Sequence, residues 1–271
     1  MIKKKICILT AAPEEPTNHH RNVFCNNDLC DYYFVTYNKK NKDALGFFYT
    51  NPVYDNRNEL ARLVPKEYDY YAFIDDDSVF KSVTKNSIIE QLVIDLNKCN
   101  PAVMITYCPD QGNPPHNDLN PGKYNCGCFS VNMVKIVHHS LIPFFFPVET
   151  SFGGYWDSCS FFNILESVAF EKYCVVTPFV RCRTLRSSAY SQNRSPQLGW
   201  KAMEDNYQWI KPAIKNKDLH FDNVNLFKKY FIDKRRYLDI EFSNNDVNYF
   251  DLNYFDTIFD LSHPYFKRKT K

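Results

Sequence analysis

Three consecutive carboxylates, Asp75-Asp76-Asp77, follow the apolar run Tyr70-Tyr71-Ala72-Phe73-Ile74. Like charges this close disfavour one another's ionised form, so a fold gains little from them unless a positive group comes to rest there. Two chemistries use such a cluster. It can hold a hard divalent cation, or one carboxylate can act as a nucleophile with another as its acid/base. A solvated acidic turn or a helix cap is the plain structural alternative. In extended backbone residues i and i+2 face alike, so Asp75 and Asp77 form a pair. Such a pair suits Mn²⁺ or Mg²⁺, which takes one or two protein carboxylates and completes its shell with substrate phosphate oxygens and water. Asp76 is then a spectator or a supporting neighbour, not a ligand of the ion.

The flanking pattern says what positions these acids. Lys5-Ile6-Cys7-Ile8-Leu9-Thr10 is a continuous β-prone run, as in a strand buried on both faces. Strands are also expected at 31–37, 68–74 and 103–107. Helical spacing appears over 55–64, ended by Pro65, and over 87–97, where positions 88, 89, 92, 93 and 96 are apolar. The polar stretch 14–27 reads as a connection. Strand and helix alternating in this way predict an α/β fold, with a mostly parallel central sheet and helices on both faces. In an open sheet of that kind, ligands bind at the carboxyl ends of the strands, where the acids fall. Segment 109–123, rich in Pro, Gly and Asn, reads as a loop. Order resumes over 129–137, with a helix expected at 158–170 and a late strand at 173–180. The division expected is one main domain over 1–200, in two halves that meet near 108. A helical or irregular C-terminal extension, 201–271, packs on the same domain.

Composition narrows the class. Lys plus Arg (33) nearly balance Asp plus Glu (31), which lacks the phosphate-neutralising excess of a nucleic-acid binder. Aromatic residues at 17% suit a core of large side chains and a site that stacks flat rings. The run after Met1-Ile2-Lys3-Lys4-Lys5 is too short for a secretory signal, and no stretch approaches a membrane span. At most a peripheral membrane contact is expected from Lys267-Arg268-Lys269. The ten cysteines lack zinc-site spacing and read as buried thiols of a cytoplasmic protein.

The order of these motifs resembles the GT-A glycosyltransferases, in which an opening strand leads through a Rossmann-type nucleotide half to an Asp-x-Asp at a later strand end. The resemblance spans residues 3–185 and rests on Asp55-Asn56-Arg57-Asn58-Glu59-Leu60-Ala61-Arg62, then Tyr68 to Asp77. Downstream it adds Asn125-Cys126-Gly127-Cys128-Phe129-Ser130-Val131 and Phe152-Gly153-Gly154-Tyr155-Trp156-Asp157-Ser158. It implies transfer of a sugar from a nucleotide diphosphate sugar, UDP-linked foremost, to a hydroxyl of a glycan or glycoconjugate acceptor. Asp75 and Asp77 would hold the metal, with Asp76 close to the donor. Thr10, Ala11 and Pro13 would line the nucleotide cleft, and Arg57 would approach the base or phosphates. Asp157 falls where an inverting member keeps its catalytic base, with Glu149 in reserve; Asp157 equally suits a helix N-cap. Trp156 and Tyr155 would wall the sugar. The family often has a metal-ligating His after the late strand, where this chain has Arg181-Cys182-Arg183-Thr184-Leu185-Arg186. Arg183 and its neighbours would instead meet the diphosphate, and His220 or His263 is a distant substitute.

Two rival readings share the acids. Phe73-Ile74-Asp75-Asp76-Asp77-Ser78-Val79 also fits the signature of haloacid-dehalogenase-like phosphatases, with Asp75 as nucleophile, Asp77 as acid/base and Mg²⁺ as cofactor. That motif normally ends the first strand of its domain, whereas here earlier strands precede it. The third reading is a non-catalytic module that binds nucleotide sugars or glycans.

Overall fold

The computed structural model describes residues 5–25, 27–49, 53–108, 125–126, 134–148, 164–165, 173–185, 204–222, 238–239 and 253–267. Their order begins β1 (Ile6–Ala12), α1 (Asn18–Phe24), β2 (Cys30–Thr36), α2 (Val53–Leu63), β3 (Tyr70–Asp75) and β4 (Ser78–Ser82). It continues with α3 (Ile88–Cys99), β5 (Val103–Tyr107), β6 (Asn125–Cys126), β7 (Val134–His138), α4 (Ile142–Phe145), β8 (Cys174–Thr184) and β9 (Leu238–Asp239).

Among the described residues these strands form one nine-stranded sheet, ordered β2-β1-β3-β7-β5-β8-β6-β9, with β4 paired to β8 off that path. The expected parallel arrangement holds for β2, β1 and β3 and again between β5 and β8. Elsewhere the sheet is mixed: β7 runs antiparallel between β3 and β5, and β4 and β6 run antiparallel to β8. Inserting β7 separates β3 from β5, so the βαβ rhythm of the first hundred residues does not produce adjacent strands throughout.

Side-chain alternation along the strands divides the core in two. Cys7, Leu9, Tyr71, Phe73, Val103 and Ile105 face Leu60, Ala61 and Val64 at and just past the end of α2. Tyr207, Ile210, Ile214 and Phe259 join this same layer, which docks the C-terminal segment on the sheet. On the opposite face Ile6, Ile8, Tyr70, Ala72, Ile74 and Met104 meet Phe24 of α1 and Ile89, Leu92, Val93 and Leu96 of α3. Cysteines serve as packing atoms in both layers: Cys7, Cys30, Cys99, Cys108, Cys174 and Cys182 are buried. No helix among the described residues is long and apolar enough to cross a membrane.

The clearest helix of the sequence, α3, carries its own boundaries. The Ser87 hydroxyl accepts from the Glu90 amide at 3.3 Å and the Glu90 carboxylate accepts from the Ser87 amide at 2.8 Å, a reciprocal capping box. Asn100 closes the other end in the left-handed region, φ 39°. Inside, the buried Asp95 accepts from Gln91 at 2.7 Å and from the Thr177 hydroxyl, which ties α3 to β8.

Two of the elements that the sequence pattern does not announce meet at the acids' turn. The connection 14–27 contains α1, whose Thr17 hydroxyl accepts from the His20 amide at 3.2 Å. The residues just after the acids form β4, an antiparallel partner of the second half of β8. Both are short, and both are held by partners distant in sequence rather than by local pattern.

Candidate active site at the carboxyl ends of the first and third strands

Register brings the site together. Strands β1 and β3 pair in parallel, with Thr10 beside Ile74 and Ala11 beside Asp75. The Thr10 hydroxyl donates to the Ile74 carbonyl at 2.9 Å, which pins the two strand ends to each other. Thr10 is itself fully buried, so it sets the floor of the site, while Ala11 and Pro13 remain half-buried at its rim. The Pro13 carbonyl accepts from the amides of Asn38 and Lys39 at 2.9 and 3.1 Å, joining this rim to the end of β2.

Asp75 closes β3 and Asp76 and Asp77 make the turn into β4. The three acids do not share one environment. Asp75 accepts from Arg57 Nη2 at 2.7 Å, with the Arg57 side chain 4% exposed and that of Asp75 22% exposed. Burial pushes the Asp75 carboxyl up to about 6; Arg57 opposes this, and the charges of Asp77 and then Asp76 add to it. Asp77 therefore weighs on Asp75 more than its direct neighbour does, and it does so across a turn, not along the extended backbone expected from the sequence. The charge of Asp76 is also felt at Tyr32 on β2, whose hydroxyl burial already holds well above the usual phenol range.

Arg57 was expected near the donor's base or phosphates. The structure sets it on Asp75, 18 residues further along the chain. Its helix, α2, lies against β1 and β2 on the sheet face that also carries Leu9 and Phe73. Asn58, one residue on, holds the segment after α4 through a reciprocal pair: its Nδ2 donates to the Val148 carbonyl at 3.0 Å and its Oδ1 accepts from the Val148 amide at 2.7 Å.

Strand β8 supplies a basic border. Arg183 is exposed and sits opposite Val79 in the β4–β8 ladder, while the Leu185 amide donates to the Asp77 carbonyl at 3.0 Å. Arg181 is exposed as well, its guanidinium 5.8 Å from the centroid of Tyr107. Asp157, Trp156, Tyr155, Glu149 and Arg186 lie outside the described residues. His220 and His263 belong to the C-terminal packing: His220 Nε2 is 2.6 Å from the Ile214 carbonyl, and the His263 ring lies edge-on to Trp209.

Three residues near the site were not singled out by the sequence. Lys135 of β7 is 1% exposed and pairs in register with Phe73, two residues before Asp75. His19 and His20 of α1 hydrogen-bond to β4 directly behind the acids. A lone lysine in an apolar strand and a His-His pair in a polar stretch carry no local signal of this placement.

Among the described residues no three His, Cys, Asp or Glu side chains converge to cage a metal ion. Asp75 and Asp77 nevertheless fit an ion that draws most of its ligands from a substrate. Arg57 contacts one oxygen of Asp75, and the mutual repulsion of the acids is what a divalent charge relieves.

No family model matches the sequence, and no curated protein matches it. Several solved structures have a related outline at low identity. S. aureus TarS 1–349 in complex with UDP-GlcNAc is 10% identical, over 75% of this chain and 66% of that one, with a TM-score of 0.48. The same protein in complex with UDP is 8% identical, over 83% of this chain and 75% of that one, with a TM-score of 0.43. A197 from STIV is 12% identical, over 66% of this chain and 84% of that one, with a TM-score of 0.43. At such distances the function has to be argued from the geometry of this chain.

Proposed function

We propose that this chain is a glycosyltransferase that moves a sugar from a nucleotide diphosphate sugar, a UDP-sugar foremost, to an acceptor hydroxyl on a glycan. The observation that carries the reading is the pairing of Ala11 with Asp75 at the carboxyl ends of parallel strands, with the acids crowded at that open end and Arg57 steadying the first of them. An α/β sheet offers its ligand crevice at this place.

In this reading Asp75 and Asp77 hold Mn²⁺ or Mg²⁺. The ion supplies charge neutralisation to the departing diphosphate. Arg57 keeps Asp75 oriented, Ala11 and Pro13 border the nucleotide, and Thr10 fixes the strand ends beneath it. Arg183 offers a guanidinium to phosphate oxygens, a geometry that arginine matches well. Asp157 is assigned the base that takes the proton of the acceptor hydroxyl, which makes the reaction inverting. Trp156 forms an apolar wall for the sugar ring.

The test is turnover of a panel of UDP-, GDP- and TDP-sugars with Mn²⁺, read by mass, alongside UDP binding by calorimetry. Asp77→Ala is expected to abolish metal-dependent UDP binding and transfer while leaving the fold intact. Asp157→Asn is expected to keep donor binding and lose transfer. Release of phosphate from p-nitrophenyl phosphate, abolished by Asp75→Asn, would replace this reading with the phosphatase. UDP binding without turnover of any donor would leave a binding module.

A further inference from the structure

Strand β4 carries the acids' turn at its start, and among the described residues it pairs with a strand on one side only. Its odd-numbered flanks turn their main-chain groups to β8: the Asp77 carbonyl accepts from Leu185, and the Val83 amide donates to Phe179. The even-numbered groups face the other way, toward α1. There the Phe80 amide donates to His19 Nε2 at 2.8 Å, and His20 Nε2 lies 2.8 Å from the Ser78 carbonyl.

These contacts define the state of both rings. Accepting from an amide requires His19 Nε2 to carry no proton. Meeting a carbonyl requires His20 Nε2 to donate, which leaves its Nδ1 to accept from the Tyr32 hydroxyl at 3.3 Å. The amide contact makes His19 neutral, and burial, which lowers the proton affinity of both rings and that of His20 to about 4, keeps His20 neutral as well. Packing holds the rings in place: His19 stacks on Phe80 with centroids 6.3 Å apart and planes 9° apart, and His20 is fully buried against Phe24 and Tyr32.

We infer that His19 and His20 are positioning residues, standing in for a neighbour strand along the open edge of β4 and so fixing the turn that presents Asp76 and Asp77. A buried amide and carbonyl without partners would favour local opening of β4. The turn that carries Asp76 and Asp77 would then lose its fixed placement beside Asp75. Because α1 follows directly on the loop after β1, the same clamp couples the rim at Pro13 to the acid turn. The inference rests on the transferase reading for its purpose and on backbone geometry for its existence.

Full-length wild type, His19→Leu and His19→Gln are compared by hydrogen exchange over residues 76–80 and by calorimetry of UDP in the presence of Mn²⁺. Glutamine keeps an acceptor at about the reach of Nε2, and leucine removes it. In His19→Leu, exchange at Phe80 is expected to quicken about tenfold, the scale of one lost buried hydrogen bond, with UDP affinity falling by a similar factor. His19→Gln is expected to restore both, which a loss of bulk packing alone would not predict. If His19→Leu does not fold, His19→Asn, whose acceptor falls short of Phe80, makes the same comparison. Unchanged protection in the leucine variant overturns the clamp. So does freed exchange with unchanged UDP affinity, or a glutamine variant that behaves as leucine does. Should wild type bind no UDP with Mn²⁺, the transferase reading fails, while exchange at 76–80 still decides whether the histidines hold the turn.

Discussion

Arg57 Nη2 lies 2.7 Å from Asp75 Oδ1, joining α2 to the end of β3 through a guanidinium that is almost wholly buried. Removing one member of such a pair strands the other in a poorly solvated place. Arg57→Met is therefore expected to lower stability by about 2 kcal/mol, discounted for the residual exposure of Asp75. It should also weaken metal-dependent UDP binding. Adding Asp75→Asn should recover much of the stability without recovering binding, as a thermal melt and calorimetry on the double variant would show.

The acids are expected to differ in importance. Asp75 feels the charge of Asp77 more than that of Asp76, and Asp76 is felt at Tyr32 as well. Asp75→Asn and Asp77→Asn should each weaken UDP binding with Mn²⁺ at least about tenfold, a loss of roughly 1.4 kcal/mol or more. Asp76→Asn should change it far less. Equal losses in all three variants would show that the site reads total charge rather than geometry.

Acid should destabilise the fold through His20. Its proton affinity is ordinary when unfolded, near 6.5, and depressed to about 4 when folded. Above 6.5 His20 is neutral in both states and its contribution is fully present, while Asp75, raised to about 6, works in the opposite direction as pH falls. As pH falls from 6.5 to 4 the unfolded chain gains the proton first, so stability drains across that window and levels off below it. A shift of this size amounts to on the order of 3 kcal/mol. Urea melts of wild type and His20→Gln between pH 7 and 4 should show a shallower pH dependence in the variant.

The Thr177 hydroxyl donates to Asp95, and Gln91 links that carboxylate to Thr84 and Asn86 at 2.8 and 2.9 Å. Thr177→Val removes one donor from a buried acid, with an expected cost of about 1–2 kcal/mol. UDP affinity should hardly change, because this network joins α3 to β8 away from the acids' turn. A melting curve together with calorimetry checks both halves.

Much of the local structure around the acids was legible before the fold. The apolar run from Tyr70 to Ile74 announced a strand, and three carboxylates after it announced a charged strand end. The apolar spacing from Ile88 through Leu96 placed α3 within a residue or two. Such signals are local: a continuous apolar run or a three- to four-residue period records how one element meets its core. The mostly parallel sheet was read too far from the same evidence, since βαβ rhythm says nothing of a later strand, β7, entering between β3 and β5.

The chain order alone determined that acids would close a strand leading away from a buried sheet, and that Ile6 to Thr10 would lie in that sheet. Only the tertiary structure decided that Asp75 meets Arg57, that Lys135 is buried beside Phe73, and that His19 and His20 edge a five-residue strand. Each of those facts depends on strand register and on contacts 18 to 62 residues apart. A short element such as α1 or β4 gains its stability from these long-range partners, so its sequence has no need to advertise it.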